Sequence, residues 1–396
     1  MNLELVQAAL REQGLDGWLF YDHHNRDPLG LRILGMPADG HVTRRWYYFV
    51  PANGEPRKLV HRIESGRLDS LPGVKAEYSS WQELESKLEA MLVGATRVAM
   101  QYSPRNAIMY VSMVDAGTVE VLRGLGKEIV SSADLVSQFE AVMSEEQIAS
   151  HFEAQRRLDP ILEAGWKEMG RRVRAAKTPG EGGADEFSMV EFLAAAIERE
   201  GMVTEHGPNV SVGPNSADSH YEPSRASSRM IQKGDFVLID IWAKMAGRAD
   251  AIWYDITWTG VVDREPTERE RLVFDTVRDA RDASIAVVKA AFAAGTPIAG
   301  WEADDASRSV ITKAGFGSYF THRTGHNIAT ELHGSGAHLD NLETHDERLI
   351  LPNTCFSVEP GCYFTGEFGV RNEVNMITHK GKAEVTGRMQ SELVRI

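Results

Sequence analysis

A chain of 396 residues, 42% hydrophobic and 25% charged, has the make-up of folded globular protein and the length for two or three domains. Its formal net charge of −14 argues against nucleic acid or an anionic membrane as partner, and no apolar run approaches the roughly 18–20 residues that cross a bilayer. Its two cysteines, Cys355 and Cys362, are expected as small buried thiols of a reducing compartment. The N-terminus lacks a basic segment followed by an apolar one, so the cytoplasm is the expected location.

Residues 1–142 predict a compact α/β domain. Leu3 to Gln13 has helical spacing and is broken by Gly14-Leu15-Asp16-Gly17. Trp18 to Tyr21 is a strand, and so is Arg45 to Val50, which ends in the turn Pro51-Ala52-Asn53-Gly54. Pro56 to Val60 can pair with the latter. A helix over Trp81–Leu92, a strand over Arg97–Met100 and a helix over Ala107–Ala116 complete the pattern. Asp22, His23 and His24 read as a solvated loop, since no second ligand cluster lies nearby.

A second domain, 143–396, opens at Ser144, where Ser144 and Gln147 form a capping-box pattern before a long helix. Residues 177–183 are a glycine-rich loop, and Phe187–Glu200 is a helix. Val203–Tyr221 is rich in Gly, Pro, Asn and Ser and carries His206 and His220. Two strands then hold aspartates in apolar surroundings, Phe236-Val237-Leu238-Ile239-Asp240-Ile241 and Trp253 to Gly260. Alternation puts Phe236, Leu238 and Asp240 on one face, and Asp255, Thr257 and Thr259 on one face. With Ala243–Asp250 as a hairpin loop, Asp240 and Asp255 are expected side by side. Helices follow over Thr267–Ala293 and Ala303–Ala314. Two last strands, Cys355–Tyr363 and Val370–Thr378, carry Glu359 and Glu373, and His326 lies in a glycine-containing segment before them.

A carboxylate inside an apolar strand is costly unless a positive partner meets it. Singly, each of these residues reads as a turn aspartate or a hydrogen-bonded core histidine; together, four carboxylates and one imidazole call for metal. One divalent ion leaves two negative charges uncompensated; two ions balance them and leave room for a bridging hydroxide. Oxygen-rich ligands with one imidazole suit Mn²⁺, Co²⁺, Zn²⁺ or Fe²⁺, Mn²⁺ being the first choice. Two such ions roughly 3.5–4 Å apart form a hydrolytic centre.

The order Asp240, Asp255, His326, Glu359, Glu373, with His322-Arg323-Thr324-Gly325-His326, Glu359-Pro360-Gly361 and Gly369-Val370-Arg371-Asn372-Glu373, resembles the pita-bread metallopeptidases. These include methionine aminopeptidase, aminopeptidase P and prolidase. The resemblance covers about residues 145–396, and residues 1–142 look like the creatinase-type domain of aminopeptidase P and prolidase. It implies an α/β (α+β) fold with a pita-bread catalytic domain and an exopeptidase that hydrolyses Xaa-Pro bonds of small peptides through a metal-bridging hydroxide. Two ions would be held by Asp240, Asp255, His326, Glu359 and Glu373, with Glu359 also moving the hydroxide's proton. His322, His333 and His220 match histidines that meet the substrate. Arg371 matches an arginine that pairs with a carboxylate of the site or the substrate, and Tyr363 the tyrosine after Glu-Pro-Gly. A homodimer is implied as well.

The hairpin between Asp240 and Asp255 is longer than is usual in that family, and Asp250 competes for the second place; Asp255 is preferred because Asp255-Ile256-Thr257-Trp258-Thr259 keeps the Asp-x-Thr-x-Thr pattern. Asn327 and Ala329 replace glycines, and Gly334-Ser335-Gly336 replaces Glu-x-Pro, which leaves substrate size open. Arg323 favours a dipeptidase over an aminopeptidase P acting on longer chains. Non-peptide hydrolysis or lyase chemistry on the same fold, and a binding protein without catalysis, are the other classes.

Overall fold

The computed structural model describes residues 1–176 and 183–396; the loop expected over 177–183 lies, but for Gly183, outside the described residues. It forms two compact units, Met1–Glu140 and Ala141–Ile396.

The first unit is built on a six-stranded mixed sheet in the spatial order Val74–Tyr78, Arg57–His61, Trp46–Pro51, Gly17–Asp22, Arg97–Met100, Glu128–Ser131. Gly17–Asp22 is central, antiparallel to one neighbour and parallel to the other, and every residue in it is buried. That double cover explains why it reads as an unbroken apolar run rather than an alternating one. Asp22 ends the strand and accepts the backbone N–H groups of Asn25, Arg26 and Asp27, so the Asp22–His24 cluster is a turn.

The helix expected over Ala107–Ala116 does not form. That stretch makes only a 3₁₀ turn at Met109–Val111, and the helix runs over Ala116–Gly124. The cap decides this: Asp115 accepts the Thr118 N–H, whereas no side chain caps the turn at Met109.

The second unit opens with the long helix Glu145–Ala175, capped reciprocally by Ser144 and Gln147. Against it and the helix Glu186–Arg199 lies an antiparallel hairpin, Phe236–Met245 with Tyr254–Val261. Val237, Ile239 and Ile241 point into that helical layer with Tyr254 and Ile256. Leu238, Asp240 and Trp242 therefore point to the other face, as the two-residue period of a strand demands. The first strand runs on through Met245, further than expected, so only the residues beyond it form the loop.

The glutamate strands are each broken in two. Cys355–Val358 pairs with Val374–His379, and Gly361–Phe364 pairs with Phe368–Arg371. Pro360 has no N–H to give the ladder. The neighbouring N–H groups turn elsewhere: Glu359 donates to Thr324 O (2.7 Å) and Glu373 to Thr257 O (3.1 Å). These two bonds carry the glutamates out of their own hairpin and toward the histidine and aspartate strands. Among the described residues no helix is long and apolar enough to cross a membrane.

The segment bearing His326 is pressed onto Cys355–Val358. His326 N–H donates to Ser357 Oγ (2.9 Å) and its carbonyl accepts the Ser357 N–H (2.9 Å). A Cβ on Gly325 would stand 1.9 Å from Ser357 O, so only glycine permits this approach. Gly325→Ala is expected to lower the unfolding free energy by about 2–3 kcal/mol, read as an earlier urea midpoint with an unchanged m-value.

Candidate metal centre

In the aspartate hairpin Asp240 lies opposite Thr257 and Asp255 opposite Trp242. Directly opposite residues share a face, so Asp240, Trp242, Asp255 and Thr257 all face one way. The two aspartates are therefore diagonal neighbours, one step further apart than the side-by-side placement expected from the sequence. Thr257 fills the place beside Asp240. Asp250 is exposed on the loop, paired with Arg248 (3.0 Å), and stands apart from this group.

Asp255, His326 and Glu373 are buried, and each offers a ligand atom within 4.8 Å of the others'. His326 Nε2 stands 3.4 Å from Glu359 Oε1 and 3.9 Å from Asp255 Oδ2. Asp240 joins through Arg371, whose Nη2 donates directly to Asp240 Oδ2. The same guanidinium donates to Thr257 Oγ1 (3.1 Å) and lies 3.8 Å from Glu359 Oε2. Thr257 Oγ1 in turn donates to Glu373 Oε2 (2.6 Å). All five residues selected from the sequence thus meet in one cluster, with Arg371, only 6% exposed, at its centre.

The electrostatics show what the cluster lacks. Burial, and then repulsion by Glu373, Asp240 and Glu359, raises Asp255 well above the carboxylate range. Burial followed by Glu359 and Asp240 does the same to Glu373, and burial raises Asp240 against the pull of Arg371. For Glu359, burial is outweighed by His326 and then Arg371, which hold it below its ordinary value. Burial, and next His333, push His326 down to about 3. His326 is therefore neutral at physiological pH, where its pull on Glu359 is absent and Arg371 is the charge left beside that carboxylate. A neutral imidazole among carboxylates is the protonation state a metal ligand needs.

Asp240 Oδ1, Asp255 Oδ1 and Glu373 Oε1 are buried with no hydrogen-bond partner. Unpaired buried oxygens are costly, and two of these residues, Asp255 and Glu373, offer ligand atoms within 4.8 Å of each other and of His326, a set that fits a divalent cation. By this test the residues present suit the metal that the sequence implied.

The remaining predicted residues fall into two sets. His322 Nδ1 faces the Arg323 carbonyl (2.7 Å) and Nε2 faces Tyr363 OH (2.8 Å). A carbonyl only accepts, so Nδ1 carries the proton and Nε2 accepts from the tyrosine. Tyr363 OH also accepts from Arg371 Nη1 (3.4 Å). His322, Tyr363 and Arg371 are thus bonded to one another and to the carboxylates, not displayed separately. His333 and His220 are exposed; the His333 ring packs edge-on against His326, centroids 4.3 Å apart. Sequence reading assigned no role to Thr257, Ser357 or Asn375. Ser357 Oγ donates to Glu359 Oε1 (2.9 Å), and Asn375 Oδ1 accepts the Asp255 N–H (2.9 Å). Their signal was spacing: each lies two residues from a candidate ligand, and Thr257 shares a strand face with Asp255.

The departures around His326 have a packing reason. Asn327 Nδ2 donates to Cys355 O (2.8 Å) and its Oδ1 accepts the Gly336 N–H (2.9 Å). A Cβ on Gly334 would meet Asn327 Oδ1 at 2.2 Å, and one on Gly336 would meet Asn327 Cγ at 2.8 Å. The asparagine and the two glycines therefore form a single fitted unit. Cys355 and Cys362 are buried free thiols, as expected.

Residues 135–380 match the model of metallopeptidase family M24. The chain belongs to that family. Among relatives of this M24 chain, an Xaa-Pro dipeptidase of Lactobacillus delbrueckii subsp. lactis is 32% identical over 186 residues, 47% of this chain and 45% of that protein's own length. A probable dipeptidase PepE of Mycobacterium tuberculosis is 26% identical over 391 residues, 97% and 93% of the two chains. Of solved structures, the dipeptidase PepE of Mycobacterium ulcerans superposes with a TM-score of 0.68 at 22% identity, covering 99% and 96%. An Xaa-Pro dipeptidase from Bacillus anthracis gives 0.63 at 21%, covering 100% and 99%. The fold is the two-domain pita-bread architecture expected from the sequence, and this M24 member is a hydrolase of the peptidase kind.

Thr257→Val, which keeps the shape and removes the hydroxyl shared by Glu373 and Arg371, is expected to weaken Mn²⁺ binding by about 10–100-fold in calorimetric titration. A second outcome follows from the raised carboxyl of Asp255. The folded protein then holds a proton that the unfolded chain releases near pH 4, so the metal-stripped protein loses stability as pH rises through that interval. Asp255→Asn is expected to stabilise the metal-stripped protein relative to wild type, more at pH 8 than at pH 5 by urea unfolding. The ranking should reverse in excess Mn²⁺.

Proposed function

We propose that this M24 chain is a dinuclear metal-dependent exopeptidase hydrolysing Xaa-Pro bonds, with dipeptides as preferred substrates. The observation that carries the reading is a buried group of Asp255, Glu373 and a neutral His326 with ligand atoms within 4.8 Å of one another, in which Asp255 and Glu373, like the neighbouring Asp240, each keep an unpaired buried oxygen. Asp240, Asp255, His326, Glu359 and Glu373 would hold the two ions, Mn²⁺ by preference. The ions, when bound, supply an acidified water and polarise the scissile carbonyl. The Xaa-Pro and dipeptide parts draw on the names of relatives. A homodimer and a cytoplasmic setting belong to the same reading.

The chain's own residues divide the remaining work. Glu359 is the proton carrier: Ser357 orients one of its oxygens, and Arg371 is the charge beside the other, so it can take a proton and pass it to the leaving amine. Arg371 offsets the cluster's negative charge and fixes Asp240. Tyr363 and His322 lock Arg371 in place; both act through it, which for His322 is a change from the direct substrate contact implied by resemblance. His333, packed on His326, and His220, a neighbour of His333, are exposed and are left to meet the substrate.

The test is an activity panel with Mn²⁺, Co²⁺ or Zn²⁺ added. Ala-Pro is expected to be cleaved faster than Ala-Pro-Ala, with about two ions per chain by elemental analysis. Glu359→Gln should reduce kcat by about a thousandfold. Rapid tripeptide turnover with an inert dipeptide would replace the dipeptidase reading with an aminopeptidase P type.

A further inference from the structure

Glu186 is the first residue of the helix Glu186–Arg199 and has no solvent exposure at all. Its carboxylate gathers donors from one loop. Oε1 accepts the Val212 N–H (2.8 Å) and Asn215 Nδ2 (2.9 Å); Oε2 accepts Tyr221 OH (2.6 Å) and the Arg229 N–H (2.9 Å). These donors span the segment that carries His220, and Tyr221 is the residue directly after it. The two oxygens are thus filled entirely by the loop above them.

Two other contacts tie that loop to the metal cluster. Its entry strand, Asn209–Val212, pairs with the aspartate strand, Asn209 lying opposite Asp240. Midway along, Ser216 Oγ accepts the Gly369 N–H (2.9 Å), and a Cβ on Gly369 would stand 2.0 Å from Ser216 O. Gly369 lies two residues before Arg371 on the same strand. The loop is therefore held at Asp240's strand, at Arg371's strand and, beneath, at Glu186. Tyr221, next to His220, is held twice, its hydroxyl by Glu186 and its carbonyl by Asn209 Nδ2, while His220 has its own N–H on Asp218 Oδ1 (3.0 Å) and its ring exposed.

We propose that Glu186 is a positioning residue: by binding Tyr221, Asn215 and the backbone on either side of the loop, it sets where His220 stands over the substrate. The proposal rests on the reading above, in which His220 faces the peptide. Glu186 touches neither metal nor peptide. Its loss leaves buried donors unanswered and lets the His220 loop shift, so its effect falls on substrate binding rather than on the chemical step.

The experiment is a double-mutant cycle with metal-loaded full-length enzyme and Ala-Pro as substrate. Glu186→Gln is expected to raise KM about tenfold with kcat within about threefold and the bound metal unchanged. In a His220→Ala background the same change should move KM less than about twofold, since there is no longer a side chain to position. Multiplying effects in that background, or a fall in kcat at constant KM, would overturn the proposal while leaving the peptidase reading intact. A His220→Ala enzyme with wild-type KM would instead refute the role of His220, and the proposal with it. If Glu186→Gln does not fold, Tyr221→Phe removes a single one of the four donors and enters the same cycle, with a rise in KM of about threefold expected.

Discussion

Four carboxylates, two buried and two largely buried, gathered near a single guanidinium form the constraint on which the second unit depends. Arg371 reaches Asp240 and Glu359, while Asp255 and Glu373 are raised by burial and by the neighbouring carboxylates against its weaker pull. In a low-dielectric interior such a set is unfavourable, and groups perturbed in this way concentrate at functional sites. The rest of the unit supplies what holds these charges together: two hairpins, two backbone bonds that bend the glutamates inward, and a glycine that lets His326 approach.

The orientation of the carboxylates shows how the cluster is prepared. Asp240 and Glu373 each have one oxygen tied, to Arg371 and to Thr257, and the other unpaired. Asp255 is fixed through its backbone N–H on Asn375 and keeps Oδ1 unpaired. Tying one oxygen aims the other and removes rotamer freedom that binding would otherwise have to remove. The polar residues around the ligands are therefore part of the centre.

Much of this was legible in the sequence because charges inside apolar strands are conspicuous. Asp240, Asp255, Glu359 and Glu373 each interrupt a run that otherwise reads as buried strand, and caps such as Ser144 with Gln147 announce their helices. What stayed hidden lay in register and in long-range bonds. A period of two reports which face a residue takes but not which residue stands opposite, so Asp240 and Asp255 were expected side by side when Thr257 holds that place. The break in the glutamate strands depends on Thr324 and Thr257 accepting distant N–H groups, which no local pattern encodes. In the first unit a helix was expected over Ala107–Ala116, but the cap lay at Asp115 and the helix followed the cap.

The departures around Asn327 carry a different lesson. Position by position they look like losses of family glycine and of a Glu-x-Pro element. In three dimensions the asparagine side chain occupies the space that two glycines leave and satisfies Cys355 O and the Gly336 N–H. The wall behind His326 is thus rebuilt rather than removed, and the backbone keeps its place on Cys355–Val358. The exchange is packed on the buried side of His326, and Gly334, which follows the exposed His333, is tied into it by its N–H on Asn327 O (2.7 Å). Whatever distinguishes the substrate of this chain is then to be sought among His333, His220 and the loop that Glu186 holds.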